Sequence, residues 1–332
     1  MIIDAHAHLL APEVFYAYKA RLESGGGHHK GSSNISDEQL AAAAGHNVAL
    51  MDEVGTDVQL ISPRPYQLMT SSRPARIVHW WVEANNDLIA RTVALHPDRF
   101  GAVAALPITP SEPVTAAFEE LDRAVSDLGA VGVLINPDPS EGEGKSPALG
   151  DEYWYPLYEQ LVRHDLPALI HSAGCFSGRE TYSEHFITEE SVAILSVLRS
   201  SVFRDFPSLK LIIAHGGGSV PYQLGRWQAE RLAPHLGGDA HSERFEDALR
   251  RFWFDSVLHY PPALAYLIAT VGSDRVLFGT ERPGSGSTTD PRTGRELDDL
   301  KTVIDELGAL TERDRAAIYE GNARAVFPRL KV

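Results

Sequence analysis

Eight short apolar segments recur along the chain, and stretches with helical spacing of apolar residues lie between most of them. Near-continuous apolar runs, such as 131–135 and 211–214, are typical of strands that are buried on both faces of a parallel sheet. Eight such strands alternating with helices predict an α/β fold of the (β/α)8 TIM-barrel type, although a doubly wound open sheet gives the same local pattern. The predicted strands span 2–8, 57–63, 100–106, 131–136, 168–171, 209–215, 252–258 and 275–281.

The helical stretches complete this pattern over the whole length of the chain. Helices are predicted at 38–54 after the cap Ser36, and at 74–95, 113–128, 153–164, 189–203, 261–271, 296–307 and 312–327. We expect one domain over 1–332, with loop insertions near 20–36 and 283–295 that each follow the carboxyl end of a strand. Barrel enzymes build their active sites at that end.

Composition excludes several classes of protein. The 332 residues include 45 acidic and 30 basic side chains, so the net charge is −15, which argues against a general nucleic-acid binder. No apolar run approaches the roughly 20 residues that a membrane helix needs. The single cysteine, Cys175, excludes an internal disulfide and fits a reducing compartment. A cytoplasmic protein without nucleic-acid or membrane partners is therefore expected.

Several predicted strands end in a residue that can bind a metal or transfer a proton. His6 and His8 stand two residues apart on the first strand, so their side chains share one face. His171, His215 and Glu281 end the fifth, sixth and eighth strands. Because the carboxyl ends of barrel strands meet at one rim, we expect these five residues to form one site rather than separate core histidines.

Imidazole and carboxylate ligands suit Zn²⁺ first, with Mn²⁺ or Fe²⁺ as alternatives. Such an ion either lowers the pKa of a bound water or polarises a substrate carbonyl. The residue types do not distinguish these two roles. His215 precedes three glycines, and we interpret it as a general acid–base residue rather than a cap of a tight turn.

These motifs resemble the amidohydrolase superfamily, and within it the decarboxylase and hydratase branch called amidohydrolase family 2. The resemblance runs along nearly the whole chain, and within this branch the chain is most similar to the 4-oxalomesaconate hydratases. The segments that carry it include Asp4-Ala5-His6-Ala7-His8, Ser62-Pro63-Arg64, Asn136-Pro137-Asp138-Pro139, Ala214-His215-Gly216-Gly217-Gly218 and Phe278-Gly279-Thr280-Glu281. The resemblance implies a distorted metal-dependent barrel, a dimer or larger homo-oligomer, and the metal ligands His6, His8, His171 and Glu281.

One position separates the two activities of that branch. Decarboxylases of the family usually carry aspartate, an aromatic residue and proline where this chain has Glu281-Arg282-Pro283. The hydratases carry glutamate, so Glu281 favours hydration, while the proline is shared with the decarboxylases. The hydratases also hold a substrate carboxylate with an arginine a few residues later. Here 284–289 contains no arginine, and Arg282 and Arg292, which flank it, are the substitutes we predict.

Other residues at predicted strand ends are candidates for substrate binding. Arg64 could hold a carboxylate bidentately or form a surface ion pair. Asn136 could bind substrate or begin the Asn-Pro turn. His259 and Tyr260 follow the seventh strand and are expected to line the pocket. Asp255, within that strand, is expected to orient a metal ligand.

The sequence therefore predicts a metal-dependent lyase that acts on a small carboxylate. The first hypothesis is a hydratase that adds water to a conjugated carbon–carbon double bond of an unsaturated oxo-acid such as 4-oxalomesaconate, in aromatic catabolism. In it, His215 and Glu281 transfer protons. The alternative is non-oxidative decarboxylation of an aromatic or unsaturated acid. Less favoured are hydrolysis of a lactone or amide and a non-catalytic carboxylate-binding protein.

Overall fold

The computed structural model describes residues 1–239, 241–284 and 286–332. Eight parallel strands form one sheet in sequence order. Backbone hydrogen bonds from Ala5 to Phe278 (2.8 Å) and from Glu281 to His6 (2.7 Å) join the eighth strand to the first. The predicted barrel is thereby confirmed over the open sheet. The strands are β1 Ile3–His8, β2 Val58–Ser62, β3 Phe100–Ala105, β4 Gly132–Ile135, β5 Ala168–Ile170, β6 Leu211–Ile213, β7 Trp253–Asp255 and β8 Val276–Leu277.

Thirteen α-helices are present in the described residues. They are α1 Val14–Ser24, α2 Asp37–Val54, α3 Arg76–Leu95, α4 Phe118–Ser126, α5 Tyr155–His164, α6 Tyr182–Arg199, α7 Val202–Asp205, α8 Leu224–Leu232, α9 Phe245–Leu249, α10 Pro261–Val271, α11 Leu300–Glu306, α12 Glu312–Ala316 and α13 Asn322–Val326.

Each predicted helical stretch contains a helix, but several ends differ, and α1, α8 and α9 lie where no helix was predicted. Ser36 caps α2 as predicted and forms a capping box with Gln39. The prediction for 189–203 is wrong at both ends: the helix begins at Tyr182, because Thr181 and Glu184 form a second capping box, and it ends at Arg199. The predicted helix at 312–327 is divided into α12, a π-helical turn and α13.

Both faces of the strands are buried, as the apolar runs indicated. Val133, Ile135, Ile170 and Ile213 pack in one cluster with side chains of the outer helices, such as Leu157 of α5. The alternate residues Leu134, Leu169, Ile212 and Leu277 belong to a second cluster that includes Phe327 after α13. The Phe327 ring lies so close to Gly132, the first residue of β4, that a Cβ there would be 2.9 Å from it. The chain's last helix thus covers the amino end of the barrel and leaves the carboxyl end for polar residues.

No helix among the described residues is long and apolar enough to cross a membrane.

Candidate metal centre and active site

Four buried side chains meet at the carboxyl end of the barrel: His6, His8, His171 and Glu281. One nitrogen or oxygen atom from each lies within 4.8 Å of the corresponding atoms of the other three. His6 and His8 come from alternate positions of β1, His171 directly follows β5, and Glu281 lies in the segment after β8, four residues beyond Leu277. The barrel therefore brings together the four residues that the resemblance implied as ligands.

The three imidazoles are oriented by oxygen atoms on their Nδ1 sides. These contacts are His6 Nδ1 to Asp255 Oδ2 (2.6 Å), His8 Nδ1 to Ser62 Oγ (3.1 Å) and His171 Nδ1 to the Ser172 carbonyl oxygen (2.7 Å). Within the described chain, the buried Nε2 atoms of His6 and His171 have no hydrogen-bond partner. Histidines that bind metals are held in this way through their second nitrogen. The donor set therefore fits a divalent cation at the Nε2 atoms, and Asp255 has the contact expected of it.

Electrostatics favour the same interpretation. Burial lowers the pKa of His8, and it lowers the pKa of His171 to about 4, so both rings are neutral at pH 7. Burial opposes the charge of Glu281, but its contacts with His171 and His215 hold the pKa of this carboxyl far below its usual range. Neutral imidazoles beside an ionised carboxylate are the protonation states that a metal requires.

His215 lies beside this group and is held by Glu190. Its Nδ1 atom is 2.9 and 3.0 Å from the two carboxylate oxygens of Glu190, and its Nε2 atom is 3.5 Å from Glu281 Oε1. Burial lowers the pKa of His215, but the charge and hydrogen bonds of Glu190 and Glu281 outweigh it and raise that pKa well above its usual value. The raised pKa and the contact with Glu281 agree with the acid–base role predicted for His215, and that role stays a prediction.

Glu190 is a candidate functional residue that the sequence reasoning missed. It is fully buried on α6, between Phe186 and Ile194 on the buried face of the helix. A carboxylate four residues from an apolar neighbour on each side was the available signal, because such groups are buried only with a partner.

The backbone at the two proton-transfer candidates is strained. Glu281 has φ of 60° and His215 has φ of 49°, in the left-handed region that non-glycine residues rarely adopt. Such strain persists where the surrounding structure fixes it, and it concentrates at functional sites. Gly218 (φ 59°) completes the turn after His215, and a Cβ there would lie 2.6 Å from the Ile187 carbonyl oxygen.

A cavity of about 330 Å³ opens onto this group. His8 and Glu281 form its base, and Arg64 forms part of its wall. The remaining lining residues are Pro65, Tyr66, Tyr182, Phe186, Pro283 and Gly284. The volume lies at the lower end of the range for small-molecule sites, roughly 300–1,000 Å³. Arg64 Nε is buried without a hydrogen-bond partner among the described atoms, so its guanidinium is available to an anion.

The other two predicted arginines are paired with acids of the chain itself. Arg282 is buried and forms ion pairs with Asp298 (Nε to Oδ2, 3.0 Å) and Glu296. The Arg292 side chain is 87% exposed and pairs with Asp290 at 2.9 Å. Neither is among the described residues that line the cavity. Their role as carboxylate anchors stays a prediction.

Three further candidates also lie outside the lining that the structure describes. Asn136 is buried, and its amide bonds the backbone of Asp138 and the hydroxyl of Thr70, which is the turn geometry given above as its alternative. The His259 ring contacts Gly286, where a Cβ would be 2.3 Å from it, and its Nδ1 has no described partner. Tyr260 is 65% exposed. Substrate contact by these residues is likewise still a prediction.

The barrel with histidines on β1 and after β5, and a carboxylate after β8, defines a metal-site barrel of the amidohydrolase type. The amidohydrolase family model matches residues 3–329, so the chain belongs to this family.

Two curated relatives represent the two activities of the family. The chain is 34% identical to a 2-keto-4-carboxy-3-hexenedioate hydratase of Sphingobium sp. (strain NBRC 103272 / SYK-6), over 99% of this chain and 97% of the relative. It is 30% identical to a gamma-resorcylate decarboxylase of Rhizobium sp. (strain MTP-10005), over 73% of this chain and 74% of the relative.

Similar solved structures also include one hydratase and one decarboxylase. The crystal structure of 4-oxalomesaconate hydratase from Rhodopseudomonas palustris matches with a TM-score of 0.89 and 34% identity, covering 99% of this chain and 96% of that one. A 2,6-dihydroxybenzoate decarboxylase in complex with 2,6-dihydroxybenzoate matches with a TM-score of 0.73 and 26% identity, covering 98% of each chain.

Proposed function

We propose that this protein is a metal-dependent hydratase that adds water across a conjugated double bond of an unsaturated oxo-carboxylate, with 4-oxalomesaconate as the first substrate to test. The observation that carries the proposal is the pair formed by Glu281, at the base of the cavity, and His215 behind it, with 3.5 Å between His215 Nε2 and Glu281 Oε1. A carboxylate and an imidazolium side by side supply one proton acceptor and one proton donor, which is what hydration needs.

A divalent cation held by His6, His8, His171 and Glu281 would supply Lewis acidity to water or to a substrate carbonyl. We propose Zn²⁺ for this ion, with Mn²⁺ as the alternative, because both accept imidazole and carboxylate ligands. Asp255 Oδ2 lies 2.6 Å from His6 Nδ1 and so keeps the imidazole proton on Nδ1. The Nε2 atom of His6 is then free to bind the cation.

The chain's own residues divide the proton transfers. Glu281 accepts the proton that water loses as its oxygen forms a bond to one alkene carbon. His215, held by Glu190, delivers a proton from Nε2 to the neighbouring carbon, and the carbon–carbon π bond is consumed. Arg64 holds a substrate carboxylate at the cavity wall, while Tyr66 and Phe186 limit the space beside it. One water is added, and no carbon is lost.

This proposal is tested by following two signals in one reaction. Metal-loaded protein is mixed with 4-oxalomesaconate, and the conjugated absorbance and released carbon dioxide are recorded together. We expect the absorbance to fall without gas and the E281Q variant to be inactive. Absence of turnover by protein with confirmed bound metal would overturn the substrate, and activity of E281Q would overturn the role of Glu281.

The second candidate is non-oxidative decarboxylation of an aromatic or unsaturated acid. The similarity to gamma-resorcylate decarboxylase and Pro283 at the cavity favour it. Carbon dioxide release distinguishes it from hydration. Replacement of Glu281 by Asp is a further discriminator, because a decarboxylase is expected to tolerate the shorter carboxylate better than a hydratase.

We further propose a homodimer or larger homo-oligomer in the cytoplasm. In support, α6 exposes Tyr182, Ile187 and Val192, which are large apolar side chains for a helix on the surface. Sedimentation equilibrium of the purified protein tests the assembly, and a monomer at assay concentrations would contradict it.

A further inference from the structure

A second group of metal-binding side chains lies outside the active-site cavity. Cys175 and Glu180 belong to the loop after β5, and His185 lies in the first turn of α6. The sulfur of Cys175, a carboxylate oxygen of Glu180 and a ring nitrogen of His185 all lie within 4.8 Å of one another. None of the three lines the cavity or belongs to the His6, His8, His171 and Glu281 group.

His185 is the residue that indicates a ligand here. The side chain is 1% exposed, yet neither ring nitrogen has a hydrogen-bond partner among the described residues. Nδ1 is 3.5 Å from Glu180 Oε1, and Nε2 is 3.4 Å from Asp138 Oδ2. The edge between two ligands of a tetrahedral ion with bonds of about 2.1 Å is about 3.4 Å. Both separations match that edge, and Asp138 and Glu189 form an alternative group with His185. The two nitrogens are distinguished by the hydrogen bonds that Asp138 accepts.

Asp138 fixes which nitrogen faces Cys175 and Glu180. Its carboxylate accepts hydrogen bonds from the backbone of Ser140 (3.1 Å) and Gly142 (2.6 Å), so it is held rigidly as an anion. A fixed carboxylate beside Nε2 favours the tautomer with hydrogen on Nε2, and the lone pair is then on Nδ1. Carboxylates orient metal-binding histidines in the same way in other proteins.

We propose that Cys175, Glu180 and His185 Nδ1 bind one Zn²⁺ ion, with Asp138 orienting the imidazole. Sulfur, nitrogen and oxygen ligands together suit zinc rather than magnesium or calcium. The Glu180 side chain is 26% exposed, which leaves a side open for water as a fourth ligand. Binding converts the Cys175 thiol to thiolate and releases its proton. The ion joins the β5 loop to α6, the helix that carries Phe186 and Glu190 to the active site.

The alternative without a metal is an imidazolium ion between two carboxylates. In that state, burial lowers the pKa of His185, but Asp138 and other negative charges outweigh it and raise that pKa to about 9. The two states differ in metal content and in the chemical state of Cys175.

Cobalt spectroscopy of the full-length protein tests the proposal. Reduced protein is freed of metal with a chelator and titrated with Co²⁺, and the near-ultraviolet thiolate-to-cobalt charge-transfer band is recorded. Cys175 is the single cysteine, and the active-site group contains no sulfur, so the band reports this site whether or not the enzyme turns over. We expect a saturable band that is lost in C175S and H185Q, while E281Q keeps it.

Matched variants sharpen the result. D138N should weaken cobalt affinity roughly 10- to 100-fold, whereas E143Q, an exposed acid on the same loop as Asp138, should leave it unchanged. Zinc content by elemental mass spectrometry should fall by one ion per chain in C175S. Saturation with cobalt without the band, or a band of unchanged affinity in H185Q, would overturn the proposal. Loss of this zinc in E189Q but not in E180Q would also overturn it.

Discussion

His215 and Glu190 show how one buried ion pair sets a proton donor. The carboxylate contacts Nδ1, so the proton for transfer lies on Nε2, on the side of Glu281. Replacing Glu190 by Gln removes the charge that favours the imidazolium. We expect kcat at neutral pH to fall about 100-fold, in the range of general acid–base contributions.

The pH profile separates this positioning role from a structural one. Glu190 raises the pKa of His215, so the protonated form persists to higher pH in the wild type. In E190Q, the alkaline limb of the kcat profile should therefore move to lower pH. E189Q is the matched control, because Glu189 is its neighbour on α6 but does not contact His215. An unshifted profile in E190Q would contradict the assignment.

Arg64 carries the recognition of substrate charge. Its guanidinium lies at the cavity wall without a described partner for Nε. Hydrogen bonds between charged groups contribute about 1.5–3 kcal/mol, so R64Q should raise KM roughly 10- to 100-fold. R73Q, an exposed arginine on the following loop, should leave KM unchanged. Steady-state kinetics measure both, and an equal KM in the two variants would remove Arg64 from the site.

The helix α6 links the loop after β5, which carries the proposed second zinc site, to the active site. Its capping box joins Thr181 and Glu184, and the helix then supplies Phe186 and Glu190. T181A should cost about 1 kcal/mol at this helix end and speed amide hydrogen exchange there roughly fivefold. T188A is the control on the same helix, because its hydroxyl is exposed and bonds only the preceding turn. Equal exchange in the two variants would contradict the cap.

Individual elements also explain how far the sequence could predict this structure. The eight strands follow from apolar runs, and four of these runs end in the histidines and the glutamate of the site. The choice of His6, His8, His171 and Glu281 as metal ligands came from the family resemblance. The start of α6 was missed because Thr181 and Glu184 signal a cap only once 182–188 is accepted as helical. The pairings of Arg282 with Asp298 and of His185 with Asp138 join segments distant in sequence, so no local pattern could reveal them.

At the scale of the whole molecule, a bound cation should link the first and last strands of the barrel. His6 lies on β1 and Glu281 follows β8, so an ion bound by both stabilises the contact between the first and last strands. Chelation in the C175S background, which isolates this site, should abolish activity and lower the melting temperature. At a free ion concentration of 1,000 times Kd, binding adds about 4 kcal/mol to the free energy of unfolding. Calorimetry with and without restored Zn²⁺ measures this, and an unchanged melting temperature would contradict it.

The family contains both hydratases and decarboxylases, and the mass of the product distinguishes them for this chain. Metal-loaded protein and 4-oxalomesaconate are allowed to react to completion, and the molecular masses of the products are measured by mass spectrometry. The account predicts a single product equal to the substrate plus one water, formed by wild type and absent with E281Q. A product equal to the substrate minus carbon dioxide would contradict the assignment of Glu281 and His215 to hydration.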